Sequence, residues 1–193
     1  YEKVKECKIP LKSFISSSAI GWYGAATSEE VFTEEADCAD DVLGALSMAW
    51  ELAADQFLDL GCSVSKVRTG IVLTNEGGAL PKMTKPILMG IGSSLGSGKQ
   101  YMPWIHLDDI CAIYVQLLEQ KLPSGIYNGV APESITNRDL TKLLAKVIHR
   151  PLWLPNVPSF LLSLIFGEMA TILLNGSRVS ANKLIENGFQ FKH

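Results

Sequence analysis

The 193-residue sequence predicts an α/β fold built on a parallel sheet, because strand-like and helix-like segments alternate along it. Between Lys12 and Gly24, two apolar residues without strict alternation are followed by serines and glycines, a pattern typical of a buried parallel strand where it leaves its sheet. The stretches that follow Asp108 and Thr136 carry apolar residues at helical spacing. Together these patterns predict one sheet with helices packed against it.

The first half of the chain supplies two strands and one long helix. Residues 1–8 resemble the end of a helix without a start signal, so we expect a fragment whose N-terminal portion is absent. After the first strand, Asp40 or Asp41 can cap a helix that ends near Leu60, where Gly61 stops it. Residues 62–68 predict a second strand that continues through 69–74.

The second half predicts further helices around short extended pieces. A short helix is expected over 79–89, followed by an extended piece over 101–106 and a helix capped by Asp108. A strand is expected over 125–128, and Thr136 with Asp139 forms a variant of the capping box for the next helix.

The last part of the chain is rich in proline and leucine. The run from 160 to 174 is too short to span a bilayer, and we expect it to form a buried pair of helices around Gly167. A final helix is expected over 180–187. We therefore divide the chain into a sheet-containing domain over 1–150, with substrate-side segments interleaved over about 76–106, and a helical region over 151–193.

The composition is that of an ordinary globular protein, with 47% hydrophobic residues, 19% charged residues and a net charge of −3. The weakly acidic balance argues against nucleic acid and anionic membranes as partners. Four widely spaced cysteines without a C-x-x-C pair, and only three histidines, predict neither a metal site nor a disulfide framework. A reducing, cytoplasmic compartment fits this cysteine usage best.

Two phosphate-binding motifs fail in the glycine-rich segment 90–99. A P-loop requires Gly at position 93, which is Ser, and Ser or Thr after Lys99, which Gln100 replaces. A G-x-G-x-x-G fingerprint requires Gly at position 95, which is Leu. A flexible surface loop or hairpin is the favoured interpretation.

The end of the first strand is the first candidate site, since ligands of open α/β sheets bind at the carboxyl ends of strands. There a hydroxyl, Ser18, and a phenol, Tyr23, would face a crevice. Alternatively, the serines only terminate a strand and Tyr23 packs a loop.

Several motifs in order resemble the extended short-chain dehydrogenase/reductase superfamily. They are S-S-S-A-I-G-W-Y-G, V-R-T-G-I-V-L, W-I-H-L-D-D-I-C and I-Y-N-G-V-A-P-E-S-I-T-N. More narrowly, R-T-G-I-V-L-T-N-E-G-G-A-L-P-K-M and G-E-M-A-T-I-L-L-N-G-S-R-V are similar to its atypical "epimerase family protein" subgroup, which is NAD-dependent epimerase/dehydratase-like. The resemblance covers nearly the whole chain from about Lys12.

This resemblance implies the C-terminal part of a Rossmann-like, doubly wound parallel sheet and an NAD(P) cofactor, with NADP(H) slightly favoured. The glycine-rich loop that wraps the cofactor pyrophosphate in such proteins is not in this sequence. Ser18 matches the family's active-site hydroxyl. The positions matched to the cofactor site are Ser16, Ser17, Arg68, Thr69, Gly70, Ile71 and Val72.

The sequence departs from the family at the proton-transfer residues. The family uses a Tyr followed four residues later by a Lys, and alignment on Glu51 puts Leu43 and Ser47 in those places. Tyr-x-x-x-Lys is absent from this sequence. Tyr23 is the best substitute acid, and without a cation nearby its pKa is expected to stay near about 10.

The substrate side departs as well, since Met102 stands where nucleotide-sugar epimerases have a diphosphate-binding Arg. A nucleotide-sugar substrate is therefore less expected than the family name suggests. Trp22, Met102 and Trp104 could line an apolar pocket or belong to the core, and His106 and Asp109 are expected to be structural.

The resulting hypothesis is an atypical NAD(P)-dependent oxidoreductase or epimerase-like protein that acts on a small carbonyl or alcohol. The alternative is a non-catalytic NAD(P)-binding or protein-interaction module of the same fold. As the resemblance implies, we also expect a homodimer formed through the helix over 41–60.

Overall fold

Parallel strands form the centre of the protein in the computed structural model, which describes residues 1–25, 27 and 29–193. The strands are β1 Ser13–Ala19, β2 Val31–Phe32, β3 Ser63–Thr69, β4 Ile71–Thr74, β5 Gly77–Gly78, β6 Trp104–His106, β7 Ile126–Gly129 and β8 Arg178–Val179. One sheet has the order β1-β3-β7, with both pairs parallel. A second has the order β5-β4-β6, and β2 pairs with β8. The predicted α/β class with a parallel sheet is confirmed.

The helices are α1 Glu2–Glu6, α2 Val42–Asp55, α3 Ala79–Leu88, α4 Leu107–Leu118, α5 Asn137–Val147, α6 Ser159–Phe166, α7 Ala170–Leu174 and α8 Asn182–Glu186. Short 3-10 segments lie over Ile20–Tyr23, Gln56–Leu60 and Gly167–Met169. The helix expected over 41–60 therefore ends at Asp55 and continues as a 3-10 segment.

Helices cover both faces of the β1-β3-β7 sheet, because successive side chains of a strand point to opposite faces. Phe14 and Val64 belong to a hydrophobic cluster with Ala54 of α2. Ile15 and Val67 pack in another cluster, which contains residues of α4. The sheet is thus wound on both sides, as the sequence predicts.

The second predicted strand does not continue through residue 74 in a single sheet. β3 ends at Thr69, and after Gly70 the chain enters β4, which pairs with β6. An added Cβ at Gly70 would lie 2.5 Å from the carbonyl oxygen of Pro103. Glycine is therefore required at the point where the chain passes from one sheet to the other.

The helix starts confirm two of the three predicted caps. Asp41 caps α2 by accepting from the Gly44 N–H at 2.8 Å, and Thr136 caps α5 by accepting from the Asp139 N–H at 3.2 Å. The cap of α4 lies two residues earlier than predicted, since the His106 ring accepts from the Asp108 N–H at 3.1 Å. Asp108 is instead the second residue of the helix.

The apolar run over 160–174 is not the buried helical pair that the sequence predicts. Leu162 and Ala170 are buried, but Phe160 is 72% exposed and Leu164 is 79% exposed. An apolar run without a polar face predicts burial, yet here one side of each helix packs and the other faces outward. In the described part of the chain, no helix is long and apolar enough to cross a membrane.

Residues 151–193 are tied to the rest of the chain through backbone pairing. β8 pairs in parallel with β2, aligning Val31 with Arg178, and α8 lies against β7. The domain boundary at residue 150 stays a prediction.

Candidate functional site

Two strand ends meet at one edge of the parallel sheet. In the register of β1 and β3, Ser18 lies beside Arg68 and Ala19 lies beside Thr69. The serine run and the bend after Thr69 are therefore neighbours. The resemblance matches both segments to the cofactor site, and the 3-10 turn over Ile20–Tyr23 directly follows the end of β1.

The three serines differ in what they offer to a ligand. Ser18 is only 4% exposed, and its hydroxyl donates to Glu51 Oε1 of α2 at 2.9 Å. The hydroxyl of Ser16 donates to the Ser17 carbonyl at 3.2 Å. Ser17 is exposed. The residue matched to the active-site hydroxyl is thus directed into the protein, whereas Ser17 faces outward.

Arg68 lies at the centre of a buried polar network. Its guanidinium forms a bidentate pair with Glu51, with Nε to Oε1 at 2.8 Å and Nη2 to Oε2 at 3.1 Å. Its Nη1 donates to the Tyr23 hydroxyl and to the Glu34 carbonyl oxygen, both at 3.1 Å. The side chain is 1% exposed, and Cζ lies 3.9 Å from the centre of the Trp22 ring.

This geometry gives Arg68 a structural role. Burial alone would lower the pKa of Arg68, but the hydrogen bonds to Glu51 and Tyr23 raise it, so the cation is retained in the interior. A guanidinium with these partners joins α2, the turn at Tyr23 and the loop at Glu34. The matched position was predicted to contact the cofactor, but its bonds lead to protein groups.

Tyr23 is held by the same network. Its hydroxyl donates to Asn128 Oδ1 at 2.6 Å and accepts from Arg68, and the residue is 2% exposed. The expectation that no cation lies nearby is wrong. Burial raises the pKa of Tyr23, and the hydrogen bond from Arg68 lowers it by less. The single O–H of Tyr23 therefore already donates to Asn128.

A buried carboxylate completes the network. Glu34 is 7% exposed and accepts from the Asn128 N–H at 2.8 Å. Burial raises the pKa of Glu34, while the Asn128 hydrogen bond opposes that rise. Glu34, Glu51 and Asn128 were not assigned roles from the sequence. Glu51 served there only as an alignment mark, and Glu34 lies in an acidic loop that carries no motif.

Leu43 and Ser47 of α2, which stand where the family has its Tyr and Lys, pack against the 3-10 turn. A Cβ added at Gly21 would lie 3.2 Å from Ser47 Oγ and 3.4 Å from Leu43 Cβ. The 3-10 turn therefore sits directly on the part of α2 where the family places its proton-transfer pair. Ser47 is 2% exposed as a result.

The bend after Thr69 is closely packed. The Gly70 N–H donates to the Gly129 carbonyl at 3.0 Å, and the Ile71 N–H donates to the Pro103 carbonyl at 2.8 Å. Thr69 Oγ1 donates to the Val67 carbonyl at 3.2 Å. Val72 packs against the core. Glycine at position 70 therefore accommodates the close packing of Pro103 and Val130, and its match to the cofactor site stays a prediction.

The three predicted pocket residues occupy different surroundings. Trp22 donates from Nε1 to the Ala36 carbonyl at 2.9 Å and stacks on Arg68. Trp104 is half-buried at the start of β6. Met102 donates its N–H to the Ile135 carbonyl at 2.8 Å. A groove of about 370 Å³ lies elsewhere, lined by Glu29, Gly98, Lys99, Tyr101, Thr136, Arg138, Asp139 and Lys142.

Comparisons with known proteins identify a matching family model and several similar proteins. A family model described as a domain of unknown function (DUF1731) matches residues 157–193. The chain is 37% identical over 180 residues to "Epimerase family protein SDR39U1 homolog, chloroplastic" of Arabidopsis thaliana, covering 93% of this chain and 51% of that protein. It is 36% identical over 183 residues to "Epimerase family protein YfhF" of Bacillus subtilis, covering 94% and 59%.

A solved structure is similar over nearly the whole chain. The crystal structure of human epimerase family protein SDR39U1 with NADPH superposes with a TM-score of 0.88 at 29% identity, covering 99% of this chain and 64% of that one. The chain thus spans roughly half to two thirds of the length of the relatives it matches.

Proposed function

We propose a function from the premise that this chain belongs to the epimerase-family proteins of the short-chain dehydrogenase/reductase superfamily. The chain is then part of an NAD(P)(H)-dependent oxidoreductase or epimerase-like protein that acts on a small carbonyl or alcohol. The observation that carries the proposal is the register of β1 and β3, which brings the serine run and the Thr69 bend to one edge. Parallel α/β sheets bind dinucleotides at such an edge.

The residues at this edge fit a nicotinamide cofactor in part. Ser17 is exposed, and Ser16 and Thr69 present hydroxyls whose present partners are local carbonyls. Because the N–H groups of Gly70 and Ile71 are already bonded, that bend would contact a cofactor through carbonyls or side chains. A bound nicotinamide would supply hydride chemistry. NADPH is our favoured form because the human relative was crystallised with it.

The proton chemistry of the proposed reaction differs from that of the wider family. Ser18 is 4% exposed and donates its only O–H to Glu51, so it has no free proton to offer a substrate. Tyr23 likewise donates to Asn128. We therefore assign both Ser18 and Tyr23 to the buried network that supports this edge of the sheet.

Cofactor binding is tested by titrating the full-length protein with NADPH and NADH while monitoring reduced-nicotinamide fluorescence. We expect saturable binding of NADPH. Ser17→Ala should weaken it about fivefold, the loss of roughly one hydrogen bond. Ser13→Ala, at the opposite end of the same strand, is the matched control and should leave it unchanged. Absence of binding of either nucleotide would refute the proposal.

A second candidate function is a non-catalytic NAD(P)-binding or interaction module. It is favoured by one observation, the packing of Gly21 on Leu43 and Ser47 where the family's acid/base pair would stand. The two candidates are separated by mixing NADPH-loaded protein with a panel of small aldehydes and ketones. Oxidation of NADPH supports the enzyme, whereas tight binding without oxidation of any panel member supports the module.

We also propose a homodimer that uses α2. Val42, Leu46 and Trp50 recur every four residues along this helix and are 83%, 48% and 48% exposed. Side chains at this spacing share one face of a helix, and an exposed apolar stripe is typical of an interface. A cytoplasmic location stays a prediction from the cysteine usage.

A further inference from the structure

The start of α4 lies beside a cluster of two imidazoles and one carboxylate, which we name the His–Asp–His cluster: His106, Asp108 and His193. His193 Nε2 lies 3.3 Å from Asp108 Oδ2, and His106 Nδ1 lies 3.7 Å from the same oxygen. One donor atom from each residue falls within 4.8 Å of the others. All three side chains are partly exposed, so a solute can reach them from solvent.

A buried carboxylate holds this cluster together. Asp109 is 1% exposed, and its two oxygens accept from the N–H groups of Lys192 at 2.9 Å and His193 at 3.2 Å. Phe189 and Phe191, just before them, pack against the core. The backbone that carries His193 is therefore fixed against the start of α4. The rings of His106 and His193 lie with their centres 3.8 Å apart and are tilted by 32°.

We propose that the His–Asp–His cluster binds one divalent transition-metal ion of the zinc type. Zinc bonds of about 2.0–2.1 Å in tetrahedral geometry separate neighbouring ligands by roughly 3.4 Å. The two distances to Asp108 Oδ2 lie close to that value. Imidazole nitrogens favour zinc over magnesium or calcium, which prefer oxygen ligands. Water would fill the remaining position.

Two features of the site set its strength. His106 Nδ1 accepts the capping hydrogen bond from the Asp108 N–H, so an ion bound at this nitrogen must displace that bond. The positive end of the α4 dipole also opposes a cation, and Asp108 and Asp109 in the first turn offset it. We therefore expect weaker binding than at a closed four-ligand zinc site.

The experiment is a calorimetric titration of the full-length protein with zinc chloride. Cys7 and Cys111 are exposed thiols, so both are first replaced by serine to remove competing ligands. We expect one ion per chain. His193→Ala and His106→Asn should each lower the affinity at least tenfold. His106→Asn is chosen because asparagine keeps a capping side chain at the start of α4.

The remaining histidine of the chain supplies the control. His149 is exposed and lies outside the cluster, so His149→Ala should leave zinc affinity unchanged. Magnesium chloride should give no saturable heat. Absence of zinc binding overturns the proposal. So does binding that His106→Asn and His193→Ala leave intact, or that His149→Ala weakens equally, because these results indicate adventitious surface binding.

Discussion

Arg68 joins three parts of the chain that are far apart in sequence: α2 through Glu51, the turn at Tyr23 and the loop at Glu34. Its substitution by methionine keeps much of the side-chain volume but leaves the Glu51 carboxylate buried without its main partner. Breaking a buried ion pair in this way costs about 3–5 kcal/mol. We expect Arg68→Met to lower the free energy of unfolding by that amount in urea titrations.

The double variant Arg68→Met/Glu51→Leu is the matched control for this prediction. It removes both charges of the pair, so neither partner is left buried without the other, and it should recover most of the lost stability. A single variant that loses less than about 1 kcal/mol would show that the network is not a structural lock.

Gly70 illustrates how a residue matched to a cofactor site can have a packing role. Alanine there would place Cβ 2.5 Å from the Pro103 carbonyl oxygen and 2.9 Å from Val130 Cγ1. Overpacking of this kind costs about 1–3 kcal/mol. We expect Gly70→Ala to lower the free energy of unfolding within this range. Gly77→Ala has no atom within 4 Å of its Cβ and should change stability by less than about 0.5 kcal/mol.

At the level of single residues, the sequence predicted positions better than roles. The resemblance put Ser18, Arg68 and Tyr23 near one strand edge, and the structure brings them there. Their hydrogen-bond partners were not predictable, because Asn128 and Glu34 approach from segments distant in sequence. Whether a hydroxyl faces solvent or a buried carboxylate depends on this tertiary arrangement.

Among the secondary-structure elements, α2 depends on its cap. Asp41 Oδ1 accepts from the Gly44 N–H and Oδ2 accepts from the Ala25 N–H at 3.0 Å, and these backbone bonds lower the pKa of Asp41. Its folded-state pKa is therefore below the unfolded value of about 3.9, so the stabilisation is present above that pH. It is lost as the pH falls through the lower folded-state value.

We expect Asp41→Ala to cost about 1 kcal/mol at pH 7, the usual effect of removing an N-cap. The difference from the unmodified protein should shrink as the pH is lowered below about 4. Urea unfolding at a series of pH values measures this difference. Asp40→Ala tests the neighbouring carboxylate, which the sequence left as an equal candidate. If it costs as much as Asp41→Ala, the capping assignment is wrong.

The elements also show where periodicity is informative. The stripe of α5 and its Thr136 cap were predictable because a polar face and a capping side chain are both local signals. The helices over 160–174 carry no polar stripe, so their pattern did not distinguish a buried pair from an exposed one. The division of 63–74 into β3 and β4 depends on Pro103, which lies far along the chain.

For the whole molecule, the parallel sheet and its helices on both faces followed from the alternation of segments and from the ordered motifs. The His–Asp–His cluster did not, since His106 and His193 are brought together only by the packing of residues 189–193 on α4. Long-range contacts of this kind lack a sequence signal in a single chain. They account for most of what the sequence left open at the candidate site.

The assembly of two chains through α2 is testable with the full-length protein. Val42, Leu46 and Trp50 form an exposed apolar stripe, so a charge at its centre should be costly to bury in an interface. We expect light scattering to give a dimer for the unmodified protein and a monomer for Leu46→Glu. Trp153→Glu is the control, because Trp153 is 71% exposed but lies outside α2, and this variant should remain dimeric.

If Trp153→Glu alone dissociates the dimer, the interface lies in residues 151–193. A strict monomer for the unmodified protein would remove the basis for a dimer through either surface.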